Sequence, residues 1–446
     1  MTGITVARLP RDPGPAAWNR LLPAPDPAQP LEGATTADWL IIGAGFAGLA
    51  AARRLSLACP GDRVTVLEAC RIADGPAGRN SGFMIDLPHD LASDNYGGAL
   101  DADIAQTADN RMAIDFAQDM AHSFGLSAEA FDRCGKTNAA ATAKGDQHNR
   151  DYAQHLTRMG EPHQKLDAQE MRAMTGTGYY RSGLYTPGAA IIQPALFVRG
   201  VAGGLRSNRV VIHEQSPVTA LDRRGDWVAT TPKGTVAAPR VILAVNGHLN
   251  SFGFAKGRLM HVFTYGSMTR ALTDDECRRL GGRAVWGVTP ADPMGTTVRR
   301  LSGTGGDRIV VRNRFTFDPS LEVDAARIDQ VARDHDRAFA ARFPMLSGVK
   351  MEHRWGGRLC LSRNNVQMVQ EAEEGLFTAC VQNGLGTTKG TLAGMLAADL
   401  ATGHASPALT RMQEAAAPTK LPPAPIARLG AALTLRWNEW KAGREL

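Results

Sequence analysis

The feature that most narrows what this chain can become is a turn of three glycines, Gly43-x-Gly45-x-x-Gly48, set between two short apolar runs. Trp39-Leu40-Ile41-Ile42 before it has the unbroken apolar character of a buried parallel strand. Phe46 to Ala58 then carries Ala, Leu and Arg at helical spacing, and Arg63 to Glu68 (RVTVLE) reads as a second strand. Strand, turn, helix and strand make a βαβ unit of about 30 residues, the context a dinucleotide fingerprint requires. Each glycine has its own reason. Gly43 permits the tight bend, Gly45 lets backbone approach a pyrophosphate, and Gly48 lets the helix pack on the strand. Phosphates settle at such a helix N-terminus because its first N–H groups lack partners and its dipole favours anions. Glu68 stands 20 residues past Gly48 at the end of the second strand, where a carboxylate accepts hydrogen bonds from the adenosine ribose. The glycines alone are a weak signal; the strand before and the acid after make it specific. By itself the unit suits FAD or NAD.

The remainder of the 446 residues is long enough for about two domains. Residues 1–36 are rich in proline and polar residues and predict an extended arm outside the domain core. A helical segment is expected over residues 105–175. Strands follow from Ser182, at Val210–Ile212, at Trp227–Thr230 and at Arg240–Ala244, with a helix after Pro194. From Lys256 to Arg314 the sequence alternates as an antiparallel sheet does, with a turn at Gly303–Gly306. Residues 322–342 are helical, and Gly375 to Ala401 reads as strand, glycine loop and helix. The expected layout is an α/β fold with α+β elements, in which a Rossmann-type nucleotide domain is assembled from 37–100, 180–250 and 350–405. A substrate domain with a mixed or antiparallel sheet and a helical insertion takes 101–179 and 251–349, and 406–446 form a tail.

Composition excludes several classes. No run approaches the roughly 18 apolar residues of a membrane span, and the first residues lack a signal-peptide core, so a cytoplasmic protein is expected. The six cysteines show neither a C-x-x-C pair nor metal-ligand spacing, so no metal is expected. Net charge is +6, but Lys and Arg are dispersed with few aromatics among them, which argues against nucleic acid and for an anionic small ligand.

Two loops favour FAD over NAD. Ala69-Cys70-Arg71 and then GPAGRNSG (Gly75 to Gly82) follow Glu68 as a small polar stretch suited to a ribityl chain and flavin ring. The NGLGTTKG loop (Asn383 to Gly390) opens a helix and so offers backbone donors. With IIGAGFAGLAAARRL, VTVLEACRI, YRSGLYTPGAAIIQPALFVRG, VILAVNGHLN, FPMLSGVKMEHRWGG and VQNGLGTTKGTLAGMLAADLATG, these stretches resemble the D-amino-acid oxidase-like (DAO) superfamily of FAD enzymes, and most of all its γ-glutamylputrescine oxidase branch. The resemblance implies C–N bond oxidation by hydride transfer to flavin N5, with oxygen or an electron carrier as acceptor. It places Gly43, Gly45, Phe46, Ala47, Glu68 and Ala69 at the ADP half and Arg71, Gly78, Arg79, Asn80, Ser81 and Gly82 along the pyrophosphate, ribityl chain and ring. Val218 and Asn246-Gly247 fall near the adenine, and Gly386, Thr387, Thr388 and Lys389 close the pyrimidine end. Departures are Ser81-Gly82 for a Gly-Gly pair, Leu361 to Asn365 for a Thr-x-Asp-type segment, and Gly386-Thr387-Thr388 for Gly-His-Gly. Some relatives bind flavin through a cysteine, but Cys360 is displaced from that place, so non-covalent FAD is expected.

For the substrate, an amine above flavin needs an apolar, aromatic pocket and often a basic group for an acid elsewhere on the molecule. Candidate substrate-side residues are Tyr265, Met84 with its neighbour Phe83, and Arg312; His261 and Gln193 come second. Period-two alternation would set Arg308, Arg312 and Arg314 on one face. Two other readings compete: an NAD(P)-linked reductase, which calls for a second nucleotide fingerprint, and a flavoprotein acting on tRNA.

Overall fold

The apolar run Trp39–Ile42 forms the middle of a six-stranded sheet, with all four residues buried as only a strand covered on both faces can be. The computed structural model describes residues 3–11, 14–88 and 96–446. Val64–Leu67 and then Val210–His213 extend the sheet on one side of Trp39–Ile42; Arg240–Leu243, Leu376–Cys380 and Met368–Glu373 extend it on the other. All pairs are parallel except the last. Two helices leave this sheet and pack together: Phe46–Ala58, after the glycine turn, and Thr388–Thr402, after Leu376–Cys380.

Their crossing leaves no room for a side chain. A Cβ on Gly394 would lie 2.0 Å from the Ala47 carbonyl oxygen, and one on Gly390 would lie 3.2 Å from Phe46 Cβ. Gly48 is tighter still, at 1.8 Å from the Gly43 carbonyl oxygen. Small residues therefore set the distance between the helices, and that distance sets where their N-termini lie.

A second, eight-stranded sheet runs in the order Met351–Ser362, Leu259–Thr269, Arg308–Phe317, Thr297–Leu301, Trp286–Pro290, Lys136–Ala140, Ser182–Thr186, Gln164–Leu166. Only its Trp286–Pro290/Lys136–Ala140 pair is parallel. Ser182–Thr186 and Met351–Ser362 belong here, although the sequence reading grouped both with the nucleotide-binding pieces; alternation shows that a strand exists and not which sheet takes it. A bulge opposite Thr264/Tyr265 leaves Arg314 without a paired residue and at φ +60°, so the three arginines do not share a face. Arg314 instead pairs with Asp334 (2.8 Å) and Glu439 (2.7 Å).

Residues 1–36 are not a loose arm among their described positions. Gly3–Thr5 and Gly33–Thr36 are the two edges of a five-stranded sheet built on Ala220–Arg224, Asp226–Thr230 and Gly234–Ala238. Trp18 is fully buried in the main core. Its Nε1 donates to the Asn80 carbonyl (2.9 Å), and its ring stands edge-on to Trp355 at 6.3 Å. Trp355 Nε1 donates in turn to the Arg79 carbonyl (2.9 Å), so two indoles grip the loop that follows Glu68. Among the described residues no helix is long and apolar enough to cross a membrane.

A Gly394→Ala protein is expected to lose about 1–3 kcal/mol of stability by overpacking. Gly430→Ala, whose added Cβ meets nothing within 4 Å in a helix, should cost nothing. Thermal unfolding of the two variants compares them directly.

Candidate active site

A deep cavity opens where the parallel strands end, with Ile42, Leu67 and Ala244 at its floor, the usual place for a ligand in such sheets. Its free space, counted together with its open mouth, is about 1960 Å³.

At one end, Gly43 turns at φ +104°, and a Cβ there would meet the Ala244 carbonyl at 2.7 Å. Helix Phe46–Ala58 starts at Gly45 with no side chain capping it, so its first N–H groups face the cavity. The Glu68 carboxylate is fixed beside them, accepting from the Ala44 N–H (2.8 Å) and the Cys70 N–H (3.0 Å). Gly45, Phe46, Ala47, Ala69, Arg71 and Val218 line the same end. Arg71 also pairs with Glu214 at 3.3 Å.

Along the middle, Asn80 and Ser81 line the cavity, while Gly78, Arg79 and Gly82 stand behind them. Their residue types answer to packing. A Cβ on Gly78 would lie 1.9 Å from the Ala73 carbonyl oxygen. Gly82 has φ +79°, and its Cβ would fall 2.0 Å from the Arg299 guanidinium. Arg79 donates to the carbonyls of Asp74 (2.7 Å), Gly356 (3.1 Å) and Gly14, tying the loop to the eight-stranded sheet. Arg299, which is not among the residues singled out from the sequence, supports the loop from behind. It donates to the Ser81 (2.9 Å) and Ile192 (2.8 Å) carbonyls and packs on the rings of Trp18 and Phe83.

At the other end, Gly386 and Thr387 line the cavity, whereas Thr388 and Lys389 are buried in the helix behind. This helix, Thr388–Thr402, also begins without a side-chain cap, because the Thr387 hydroxyl is committed to the Phe83 carbonyl (2.6 Å). Asn246, at φ +45°, lines the wall and joins two loops, its Oδ1 accepting from the Val381 (3.1 Å) and Gln382 (3.3 Å) N–H groups. Gly247 lies behind it against His261 and Cys360.

On the side facing the eight-stranded sheet, Phe83 and Ile85 line the cavity. Met84 between them points into the core, as strand alternation requires. Tyr265 is also absent from the wall. It packs with Phe263, Val323 and Val331 on the far face of its sheet, and its hydroxyl meets Thr316 Oγ1 at 2.6 Å. Burial pushes that phenol up to about 12. Gln193 caps helix Pro194–Leu205, and His261 faces Asn250; neither reaches the cavity.

Arg312 does reach it. Its guanidinium lies 4.8 Å from the centre of the Phe315 ring, and among the described residues it has neither a carboxylate nor a hydrogen-bond partner. Burial pushes it down to about 10, so it remains charged at neutral pH. Tyr96, Pro290, Pro293 and Thr297 surround it, drawn from segments whose sequence gives no sign of a shared site. His248, also on the wall, is pushed down to about 3 by burial and Arg358 and is neutral. Glu68 is the sole carboxylate on the wall among the described residues, and it sits at the opposite end.

Two uncapped helix N-termini, a backbone-fixed carboxylate and a long curved wall between them suit a dinucleotide with a ring system at its far end. A model of the family described as FAD dependent oxidoreductase (DAO) matches residues 38–400. The chain belongs to the DAO family of FAD-dependent oxidoreductases. The family match decides the choice the glycine turn leaves open: the cofactor is FAD. Relatives of this DAO protein include the gamma-glutamylputrescine oxidoreductase of Escherichia coli K12, 27% identical over 388 residues (85% of this chain, 87% of the relative). The probable oxidoreductase OrdL of Rhizobium meliloti is 25% identical over 410 residues (89% and 90%). Among solved structures, glycine oxidase from Geobacillus kaustophilus has a TM-score of 0.68 at 19% identity, covering 83% of this chain and 96% of its own. L-Proline dehydrogenase from P. horikoshii has 0.66 at 15%, covering 86% and 97%. These likenesses establish a shared fold.

Glu68→Ala removes a charged acceptor, a change of about 1.5–3 kcal/mol. FAD dissociation from this DAO protein is expected to weaken about 10- to 100-fold, measured by fluorescence titration of the flavin-free form.

Proposed function

We propose that this DAO protein oxidises the C–N bond of an amine or amino-acid-like substrate that carries an anionic group, and that Arg312 holds that group. The observation behind this reading is the uncompensated guanidinium on the cavity wall. A cation kept half-buried without a carboxylate is costly unless an anion visits it. The names of the relatives, among them a gamma-glutamylputrescine oxidoreductase, a glycine oxidase and a proline dehydrogenase, belong to enzymes of amines and amino acids.

Bound FAD would supply the electron acceptor for the hydride of the carbon beside the amine, and the imine so formed would hydrolyse. The chain's own part is to bind, orient and shield. The first N–H groups of helix Phe46–Ala58 meet the pyrophosphate, and Glu68 meets the adenosine ribose beside Val218. Asn80 and Ser81 follow the ribityl chain. Gly386 and Thr387, with the second helix N-terminus, would hold the pyrimidine edge, where backbone donors would suit negative charge on the ring. Phe83, Ile85 and Pro290 keep water from the reacting carbon, and Arg312 fixes the substrate's far end.

No carboxylate among the described residues lies on the wall near Arg312, so none of them stabilises an ammonium there. The amine therefore reacts as the free base. kcat/KM should rise with pH up to the amine's own pKa and fall again above about 10, where Arg312 gives up its proton and its hold on the anion. For Arg312→Ala we expect KM to rise about 10- to 100-fold, as loss of a charge-assisted contact implies. kcat and the bound-flavin spectrum should change much less, and the alkaline limb of the profile should vanish. An unchanged KM for acidic substrates would remove Arg312 from the site.

A further inference from the structure

The helix Ala424–Ala442 has two apolar faces, and the protein uses one of them. Leu435 and Ala442 pack with Val262, Met294 and Phe315 against the eight-stranded sheet. Glu439 on the same side accepts from Arg314 at 2.7 Å. Opposite lies a second stripe, Ile426, Leu429, Leu433, Trp437 and Trp440, whose members are between 55% and 71% exposed. At about 100° per residue these five fall within an arc of about 80°, turned away from Leu435 and Ala442. A stripe this regular is not scatter of single surface hydrophobes.

Its borders are basic. Arg436 projects beside the Leu429 edge of the arc and Lys441 beside the Trp437 edge, with Lys441 Nζ 5.3 Å from the Trp437 ring. From Lys420 to Leu446 the chain has five basic residues (Lys420, Arg428, Arg436, Lys441, Arg444) and two acidic ones, Glu439 and Glu445. Both acids are turned inward: Glu439 to Arg314, and Glu445 to the Ala141 and Thr142 N–H groups at 2.9 and 2.8 Å. The outward half of the helix is thus apolar and cationic with no anion on it. Two indoles, stacked at 5.1 Å, stand on that half.

We propose that this face rests on an anionic lipid surface, with the tryptophans at headgroup depth and Arg436 and Lys441 reaching phosphates on either side. The charge arrangement favours lipid over a second copy of the chain. Stripe-to-stripe pairing of two copies would bring Arg436 and Lys441 against the same cations, with no acid to meet them. Docking is peripheral, since the helix lies flat against the protein along its other face.

The test is co-sedimentation of the full-length FAD-loaded protein with phosphatidylcholine vesicles, with and without phosphatidylglycerol. Binding is expected with phosphatidylglycerol only, and it should weaken as salt is raised. Trp437→Ser with Trp440→Ser, and separately Arg436→Glu with Lys441→Glu, should each cut it about tenfold or more while flavin content and turnover stay at the parent level. Flavin content also reports whether each variant is folded. The proposal fails if anionic vesicles leave the protein in the supernatant, or if they bind both pairs of variants as well as the parent. It also fails if sedimentation velocity shows a dimer that Trp440→Ser dissolves, since the stripe then serves a second copy.

Discussion

Two helices whose N-termini share one cavity cross at a distance that admits no side chain, and most of what the site can do follows from that crossing. Gly48 presses on the carbonyl of Gly43, and Gly394 presses on that of Ala47. The first contact holds helix Phe46–Ala58 close to its own strand; the second holds helix Thr388–Thr402 against it. The two N-termini then sit at different points of one wall, neither capped by a side chain. Each is a partial positive charge with unused donors. A ligand with a phosphate at one place and, some distance away, a ring that gains negative charge on reduction matches this pair, and FAD with its pyrophosphate and its flavin pyrimidine is such a ligand.

Arginine divides into two uses around the same cavity. Arg299 is buried with its Nη1 directed at the Ser81 and Ile192 carbonyls and its face on two aromatic rings, and so holds the Asn80–Gly82 turn. Among the described residues Arg312 has only the Phe315 ring, which is why we propose that its donors serve a group that enters the cavity. Burial lowers both guanidinium groups to about 10, which leaves them charged in neutral water. Phe83 and Ile85 supply apolar side chains to the same cavity wall.

The nucleotide end was legible because its requirements are local: three glycines, a helix and an acid within one βαβ unit. The legibility declines where neighbours come from far away. Met84 was one residue from the right side chain, since a strand two residues long sends adjacent residues to opposite faces. Tyr265 sits beside a bulge and on the far face of its sheet, and sequence alternation carries no mark of a bulge. Gly78, Arg79 and Gly82 look the same in sequence whether a glycine makes way for a cofactor or for a carbonyl and a guanidinium. Trp18 was hidden by its proline-rich surroundings, although its size alone argues for burial. Tyr96 and Thr297, brought to Arg312 by the fold, carried no signal at all.

Anaerobic titration of the purified protein with amines and amino acids, followed by its visible absorption, tests the central claim most directly. The account predicts the bands of oxidised flavin at the start and their loss on adding an amine that bears an acidic group, faster than with the same amine lacking it. Flavin that stays oxidised before every such amine yet bleaches with NADH or NADPH would contradict it.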